Sequence, residues 1–245
     1  MAEHISLIID GREVTTDKGT TILEAAKQAG IYIPHLCYHP DLEPVAVCRV
    51  CLVEVEGGRG LTTACNTPAV DGMVVRTDTP EVNITRRAAV ELVVTYHEGE
   101  CLHCAMHLQC ELQKVANFVG LDEERLARLR RVTRALPVNT TNPFFERDPN
   151  KCILCGICVR TCRDLQGISA IDFASRGYDT VISTFANKAM ADTACESCGE
   201  CVARCPVGAL KPKQFETPAR EVKTVCAYCG CGCGLYLGVR GDRIV

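Results

Sequence analysis

The chain has 245 residues, a formal net charge of -3, 47% hydrophobic side chains and no tryptophan. That balance excludes wholesale disorder and offers no general attraction to nucleic acid or to an anionic membrane. Nineteen residues are cysteine and only 5% are aromatic, so something other than large aromatic side chains organises much of the interior, and metal is the first candidate.

The start of the chain lacks the basic residues of a secretory leader, and its apolar run, Leu7 to Ile9, is too short for one. No apolar stretch reaches the roughly eighteen residues that cross a bilayer. Ala88 to Tyr96 comes nearest and is broken by Glu91. The expected compartment is the cytoplasm, where closely spaced thiols read as metal ligands rather than as a disulfide scaffold.

Residues 1–78 read as a small mixed sheet. Ile5 to Asp10 alternates as a strand does, Thr21 to Ala29 has helical spacing ended by Gly30, and Val50 to Val55 and Met73 to Thr77 are strand-like. Residues 79–133 turn helical from about Glu81, with Arg86, Arg87 and Glu91 on one side and Ala88, Leu92 and Val93 on the other. Arg125, Arg128, Arg130, Arg131 and Arg134 read as a solvated helix face, with docking of a partner as the alternative. Within 134–218, the stretch Arg134 to Asp148 carries prolines and little periodicity and reads as a connector. Residues 213–224 read as a polar link into a last segment, 219–245.

The cysteines fall into five groups. Two of them repeat one spacing, C-x2-C-x2-C-x3-C: Cys152, Cys155, Cys158 and Cys162 reappear as Cys195, Cys198, Cys201 and Cys205, followed by Pro206. In bacterial ferredoxins such a run gives three thiolates to one cubane, and its fourth cysteine reaches the other. Three cysteines in a tight loop wrap one corner of a cluster, whereas the fourth is carried away on the next turn. The expected sets are therefore Cys152, Cys155, Cys158 and Cys205 for one [4Fe-4S] cluster, and Cys195, Cys198, Cys201 and Cys162 for the other. Small residues at Gly156 and Gly199 let backbone amides approach the sulfides. Structural zinc, built on two CxxC pairs, is the competing use of such thiols.

Cys37, Cys48, Cys51 and Cys65 keep the C-x2-C core and distant fourth ligand of plant-type [2Fe-2S] sites but widen the first gap. With the segments Ile33-Pro34-His35-Leu36-Cys37, Cys48 to Val55 and Thr63 to Pro68, this group resembles the N-terminal domain of the large iron-sulfur subunit of respiratory NADH dehydrogenase. Zinc is again the alternative. Cys101, Cys104 and Cys110 are one ligand short of a cubane, and His97 precedes them in the pattern H-x3-C-x2-C-x5-C. The same family carries a His-ligated [4Fe-4S] cluster on that pattern, which implies His97 as the fourth ligand, with His103, His107, His35 and His39 as bystanders. The last group runs Cys226-Ala227-Tyr228-Cys229-Gly230-Cys231-Gly232-Cys233 and looks like the start of a molybdopterin oxidoreductase domain, with Cys226, Cys229 and Cys233 as ligands of a further [4Fe-4S] cluster. In that family the fourth thiolate lies well downstream; here Cys231, a partner's ligand, or no cluster at all stay open. Its Gly-x-Gly-x-Gly is no dinucleotide fingerprint, since no βαβ unit surrounds it.

Taken in order, these modules resemble the iron-sulfur region shared by the large subunit of NADH dehydrogenase, the diaphorase iron-sulfur subunit of NAD-reducing hydrogenases, iron-iron hydrogenases and NAD(P)-linked molybdopterin formate dehydrogenases. The resemblance implies an α+β chain: a β-grasp [2Fe-2S] domain over 1–78, a helical His-ligated [4Fe-4S] domain over 79–133, a two-cluster ferredoxin domain over 134–218 and a cysteine-rich tail over 219–245. It implies one [2Fe-2S] and three [4Fe-4S] clusters, a fourth [4Fe-4S] being open, and a wiring role without catalysis by this chain alone. The implied partners are a flavin-bearing NAD(P)H-oxidising subunit and either a formate dehydrogenase or hydrogenase catalytic subunit or a ferredoxin, in a hetero-oligomer. One piece of a split molybdenum formate dehydrogenase and a purely structural zinc protein are the other readings. With this many thiols committed to metal in small modules, the apo chain is expected to be largely unfolded.

Overall fold

A computed structural model describes residues 3–97, 101–104, 106–129, 135–213 and 218–244. Contacts divide it into two units, one up to Lys211 and one from Pro212 onward. In the first, His4–Ile9 (β1) and Arg12–Asp17 (β2) form an antiparallel hairpin. Its tip, Asp10 and Gly11, has φ of 49° and 78°, the left-handed pair that a two-residue turn requires. β2 reads Arg-Glu-Val-Thr-Thr-Asp, too polar for alternation to reveal it, and the Asp-Gly dipeptide is its signal.

Helix α1, Ile22–Gln28, begins where Thr21 Oγ1 accepts from the Glu24 amide at 3.3 Å, and it turns Ile22, Leu23, Ala25 and Ala26 inward. Leu52–Val55 (β3), Leu61–Thr63 (β4) and Val74–Arg76 (β5) complete a sheet of order β2-β1-β5-β3-β4, in which β1 and β5 run parallel. The sheet clasps α1 over a core that includes Leu7, Ile9, Val53 and Val75 together with Cys51 and Cys65.

Helix α2, Pro80–Tyr96, starts on Thr79, whose hydroxyl accepts from the Val82 amide at 3.4 Å. It turns two of its four charges away from water: Arg86 and Glu91 are each 2% exposed, whereas Glu81 and Arg87 are exposed and Leu92 is 60% exposed. The amphipathic assignment is therefore corrected. The fork of donors on Arg86 meets three carbonyls around β3 and β5, at Val50 (3.1 Å), Leu52 (2.7 Å) and Thr77 (3.2 Å). A guanidinium so satisfied can be buried where a bare charge could not. Glu91 Oε2 accepts from Arg125 Nε at 2.8 Å. Glu111–Val119 (α3) and Glu123–Leu129 (α4) come next. Arg125, whose side chain is 57% exposed, ties the solvated face of α4 to α2; Arg128 is exposed, and Arg130, Arg131 and Arg134 lie outside the described residues. The second core is shared among modules, with Leu36 and Val50 from the sheet domain, Val90, Val94, Leu112 and Val115 from the helices, and Ile153 and Val207 from the ferredoxin-like module.

Phe145–Arg147 (β6) is a strand within the stretch read as a connector, and the segment is corrected accordingly. Ile157–Arg160 (α5), Asp172–Ala174 (β7), Val181–Ser183 (β8) and Glu200–Ala203 (α6) lead to Leu210–Pro212 (β9). β6 pairs with β9 and β7 with β8. Phe145, Val159, Ile171, Ile182, Met190 and Leu210 form the core here, lined by cysteines of both repeats. In the second unit, Arg220–Val225 (β10), Gly234–Arg240 (β11) and Arg243–Ile244 (β12) make a three-stranded antiparallel sheet. β10 lies in the expected polar link and carries its apolar residues, Val222 and Val225, at intervals too sparse to mark a strand. Among the described residues no helix is long and apolar enough to cross a membrane.

Candidate metal centres

In the sheet domain, Cys37 comes after α1, Cys48 and Cys51 flank Arg49 just before β3, and Cys65 comes after β4. Arg49 has φ 55°, a left-handed turn that folds the CxxC back on itself. The hydrogen bond to Cys48, together with burial, holds the Cys37 thiol well up, and the same bond brings Cys48 down to about 6. Cys51 and Cys65 form a second such pair, Cys51 raised and Cys65 lowered by their shared hydrogen bond. The amides of Val50, Leu36 and Cys37 point at the Cys48 sulfur. Four thiols from residues 37 to 65 thus lie as two hydrogen-bonded pairs that act electrostatically on each other.

The duplicated runs share a backbone as well as a spacing. Leu154 and Ser197 have φ of 54° and 57°, and the glycines two residues on, Gly156 and Gly199, have 70° and 77° and start α5 and α6. These turns aim amides inward: Leu154 N–H lies 3.4 Å from Cys152 Sγ. One cavity is lined by Cys152, Cys155, Cys158 and Cys205. A second is lined by Cys162, Cys195, Cys198 and Cys201. The fourth cysteine of each run has crossed to the other set. For Cys162 the cause is local: α5 widens over Thr161–Leu165 into a π-turn, with Gln166 N–H on the Thr161 carbonyl at 3.1 Å.

His97 ends α2, and its Nδ1 lies 2.9 Å from the Lys151 carbonyl. A carbonyl only accepts, so Nδ1 carries the proton and Nε2 the lone pair that a metal would use. Cys101 opens a short turn, Cys104 closes it, and Cys110 caps α3. Burial first, and then the neighbouring Cys104 and Cys101, push the Cys110 thiol up. Gly208 brings the two parts together, because a Cβ there would lie 2.5 Å from Cys104 Sγ and 3.9 Å from Lys151 Cδ. Of the expected bystanders, His35 turns its Nδ1 to the Ile33 carbonyl and His39 faces Asp41; His107 is described without a role, and the side chain of His103 is outside the described residues. In the second unit, the Cys226 amide donates to the Cys233 carbonyl at 2.8 Å and closes a loop between β10 and β11. Cys226 is half-buried, while Cys229, Cys231 and Cys233 are exposed; the amide and thiol of Cys231 lower the Cys229 thiol.

These donor sets fit iron-sulfur clusters. Burial raises Cys158 far up, and Cys155, Cys152, Cys205 and Cys201 add to it. Burial likewise pushes Cys155 and Cys201 to about 12. Crowded, desolvated thiols of this kind release their protons only to a positive centre, and amides aimed at the sulfurs, such as those of Val207, Leu210 and Ala209 at Cys205, suit thiolates.

Two arginines that no motif marks, Arg160 buried and Arg147 half-buried, lie among these sets. Arg160, 4% exposed and lying between Cys158 and Cys162, donates to the Cys37 carbonyl at 2.6 Å and to the Glu43 carbonyl at 2.8 Å. Arg147 donates to the Ile182 carbonyl at 2.5 Å and lines the cavity of Cys152 and Cys158. On the same face as Arg160, Arg204 reaches Asp41 at 2.9 Å and also pairs with Glu200.

The folds and thiol sets define a ferredoxin-like iron-sulfur protein of several modules. Family models agree in the same order: a 2Fe-2S iron-sulfur cluster binding domain matches residues 2–80, the NADH-ubiquinone oxidoreductase-G iron-sulfur binding region 86–125, the ferredoxin-like domain of NADH-quinone oxidoreductase subunit 3 142–211, and the molybdopterin oxidoreductase Fe4S4 domain 219–245. The chain belongs to the iron-sulfur family that includes the G-type subunits of NADH-quinone oxidoreductase, the NADPH-Fe(3+) oxidoreductase alpha subunit and hydrogenase subunits. It is 38% identical to the second G-type NADH-quinone oxidoreductase subunit of Rhizobium meliloti over 96% of this chain and 28% of that one. To the NADPH-Fe(3+) oxidoreductase alpha subunit of Geobacter sulfurreducens it is 36% identical, over 98% of this chain and 28% of the relative. The chain therefore spans little more than a quarter of these relatives. A chain in the crystal structure of an NAD+-reducing [NiFe]-hydrogenase in the H2-reduced state is similar at TM-score 0.74 and 32% identity, over 87% of this chain and 90% of that one.

Proposed function

We propose that this chain is a cytoplasmic iron-sulfur relay of an NAD(P)H-linked oxidoreductase complex. In this reading Cys37, Cys48, Cys51 and Cys65 hold a [2Fe-2S] cluster; His97, Cys101, Cys104 and Cys110 hold a [4Fe-4S] cluster; and the two crosswise sets of the ferredoxin module hold one more each. The modules are 1–78, 79–133, 134–218 and 219–245. When bound, such clusters supply one-electron redox chemistry with little rearrangement. The protein's part is to exclude water, direct amides to sulfur and keep neighbouring sites in contact. Cys104 and Cys205 are electrostatic neighbours, as are Cys158 and Cys201, and Arg160 joins the Cys37 loop to them. That continuity is what a path along the chain requires.

The observation that carries the reading is the pair of cavities whose thiols are exchanged between the two repeats. The relatives' names point to NAD(P)H as the electron source, so one partner is a flavin-bearing NAD(P)H subunit and the other a hydrogenase or formate dehydrogenase subunit, or a ferredoxin. Protein purified without oxygen is expected to contain about 14 iron atoms per chain with matching sulfide, and NAD(P)H should reduce them once the flavoprotein is added. Colourless protein with stoichiometric zinc would end the proposal. The match of 219–245 to a molybdopterin Fe4S4 domain favours a second reading, a piece of a split formate dehydrogenase. It calls for about 18 iron atoms, a copurifying molybdenum polypeptide and reduction by formate.

A further inference from the structure

The two cavities of the ferredoxin module are alike in thiols and unlike in charge. Around Cys152, Cys155, Cys158 and Cys205 stand two guanidinium groups. Arg147 lines the cavity, fixed on the Ile182 carbonyl at 2.5 Å and electrostatically closest to Cys158 and Cys152. Arg160, 4% exposed, acts on Cys155 from α5. Among the described residues no such cation lines the duplicate cavity. Instead Glu196 and Glu200 line it, with Glu200 paired to Arg204, and its Cys198 is exposed.

Adding an electron to a centre of four thiolates raises its negative charge by one, and no bond forms or breaks. A fixed positive charge in a wall shielded from water stabilises the reduced form, and a carboxylate opposes it. Arg147 cannot lose its charge under ordinary conditions, and its anchor on β8 denies it the freedom to swing away. Its effect on the second set is weaker, since Cys201 is the last of its electrostatic neighbours.

We propose that Arg147 is a potential-setting residue: its guanidinium raises the midpoint potential of the centre at Cys152, Cys155, Cys158 and Cys205 above that of its duplicate, so that a single electron in the module rests there. The inference builds on the reading that both cavities hold cubanes. The test is a dithionite titration of the full holoprotein, followed by electron paramagnetic resonance, beside iron and sulfide analysis. In Arg147→Met, one cubane wave should fall by about tenfold or more in its one-electron equilibrium constant, which is 59 mV, while the others move by less than about threefold. Arg147→Lys, which keeps the charge, should stay within about threefold of the parent. Glu196→Gln should raise a different wave from the one that Arg147→Met lowers. Unmoved waves in Arg147→Met, equal shifts in the Lys and Met variants, or Glu196→Gln acting on the same wave would each overturn the assignment while the clusters stand. If Arg147→Met fails to retain iron, Arg147→Gln, which also removes the charge, takes its place under the same criteria. Parent protein without labile sulfide would instead remove the relay reading itself.

Discussion

The two units of the chain treat their cysteines in opposite ways. Up to Lys211, three thiol sets are closed by a cysteine from outside the local run: Cys65 comes back to Cys51, Cys205 to Cys152–Cys158, and Cys162 joins Cys195–Cys201. From Pro212 onward, Cys226, Cys229, Cys231 and Cys233 share one hairpin loop and three of them are exposed. In the first unit most of the sulfurs pack in or against the hydrophobic cores, so a metal bound there would be coupled to the fold. In the second, β10 and β11 pair through six residues of each strand, outside the cysteine loop.

The largest expected effect separates the units by removing the iron. Anaerobic chelation should abolish hydrogen-exchange protection through the first unit, where thiolates left crowded and buried repel one another, while the β10–β11 amides keep theirs. Equal loss in both would erase the contrast. Cys205→Ala sharpens it: about 4 of the iron atoms should be lost, whereas Cys231→Ala should leave the iron content unchanged. Next comes Gly208→Ala. Its Cβ would sit 2.5 Å from Cys104 Sγ, so sulfur or backbone must move, and the site proposed at His97, Cys101, Cys104 and Cys110 should show lowered iron occupancy or an altered resonance signal. An unchanged spectrum would show that Cys104 is not held there.

Arg160→Leu tests whether the Cys37 loop is part of the same body. It strands two carbonyls that now accept from a charged donor, and a loss of about 3 kcal/mol is expected in denaturant unfolding, with Arg160→Lys recovering part. A Leu variant as stable as the parent would mean the loop docks without it. The smallest effect belongs to Thr21→Ala, which removes the cap of α1 but neither of the bonds that join α1 to the Cys65 loop, Ile22 N–H to the Thr67 carbonyl and Leu23 N–H to the Ala64 carbonyl. About 1 kcal/mol should be lost with iron content and resonance unchanged, which separates scaffold from site within the sheet domain.

Much of the site was legible from spacing. A CxxC can bring its thiols together in one tight turn, so Cys48 and Cys51, or Cys195 and Cys198, announce themselves locally. The left-handed Leu154 and Ser197 leave no such mark, being ordinary residues that the turn forces into place. Helix α2 shows why patterning misled: with carbonyls waiting on one side and Arg125 on the other, the polar stripe of Arg86 and Glu91 became the inward one.

The order of amino acids was enough for the succession of iron-sulfur family domains, because that depends on short-range spacing and on side-chain chemistry. Which charges face which sulfurs was left to the folded chain. Arg147, Arg160 and Arg204 reach their partners across long separations in the chain, and a guanidinium chooses its neighbours by where the carbonyls and carboxylates lie once the cores have closed.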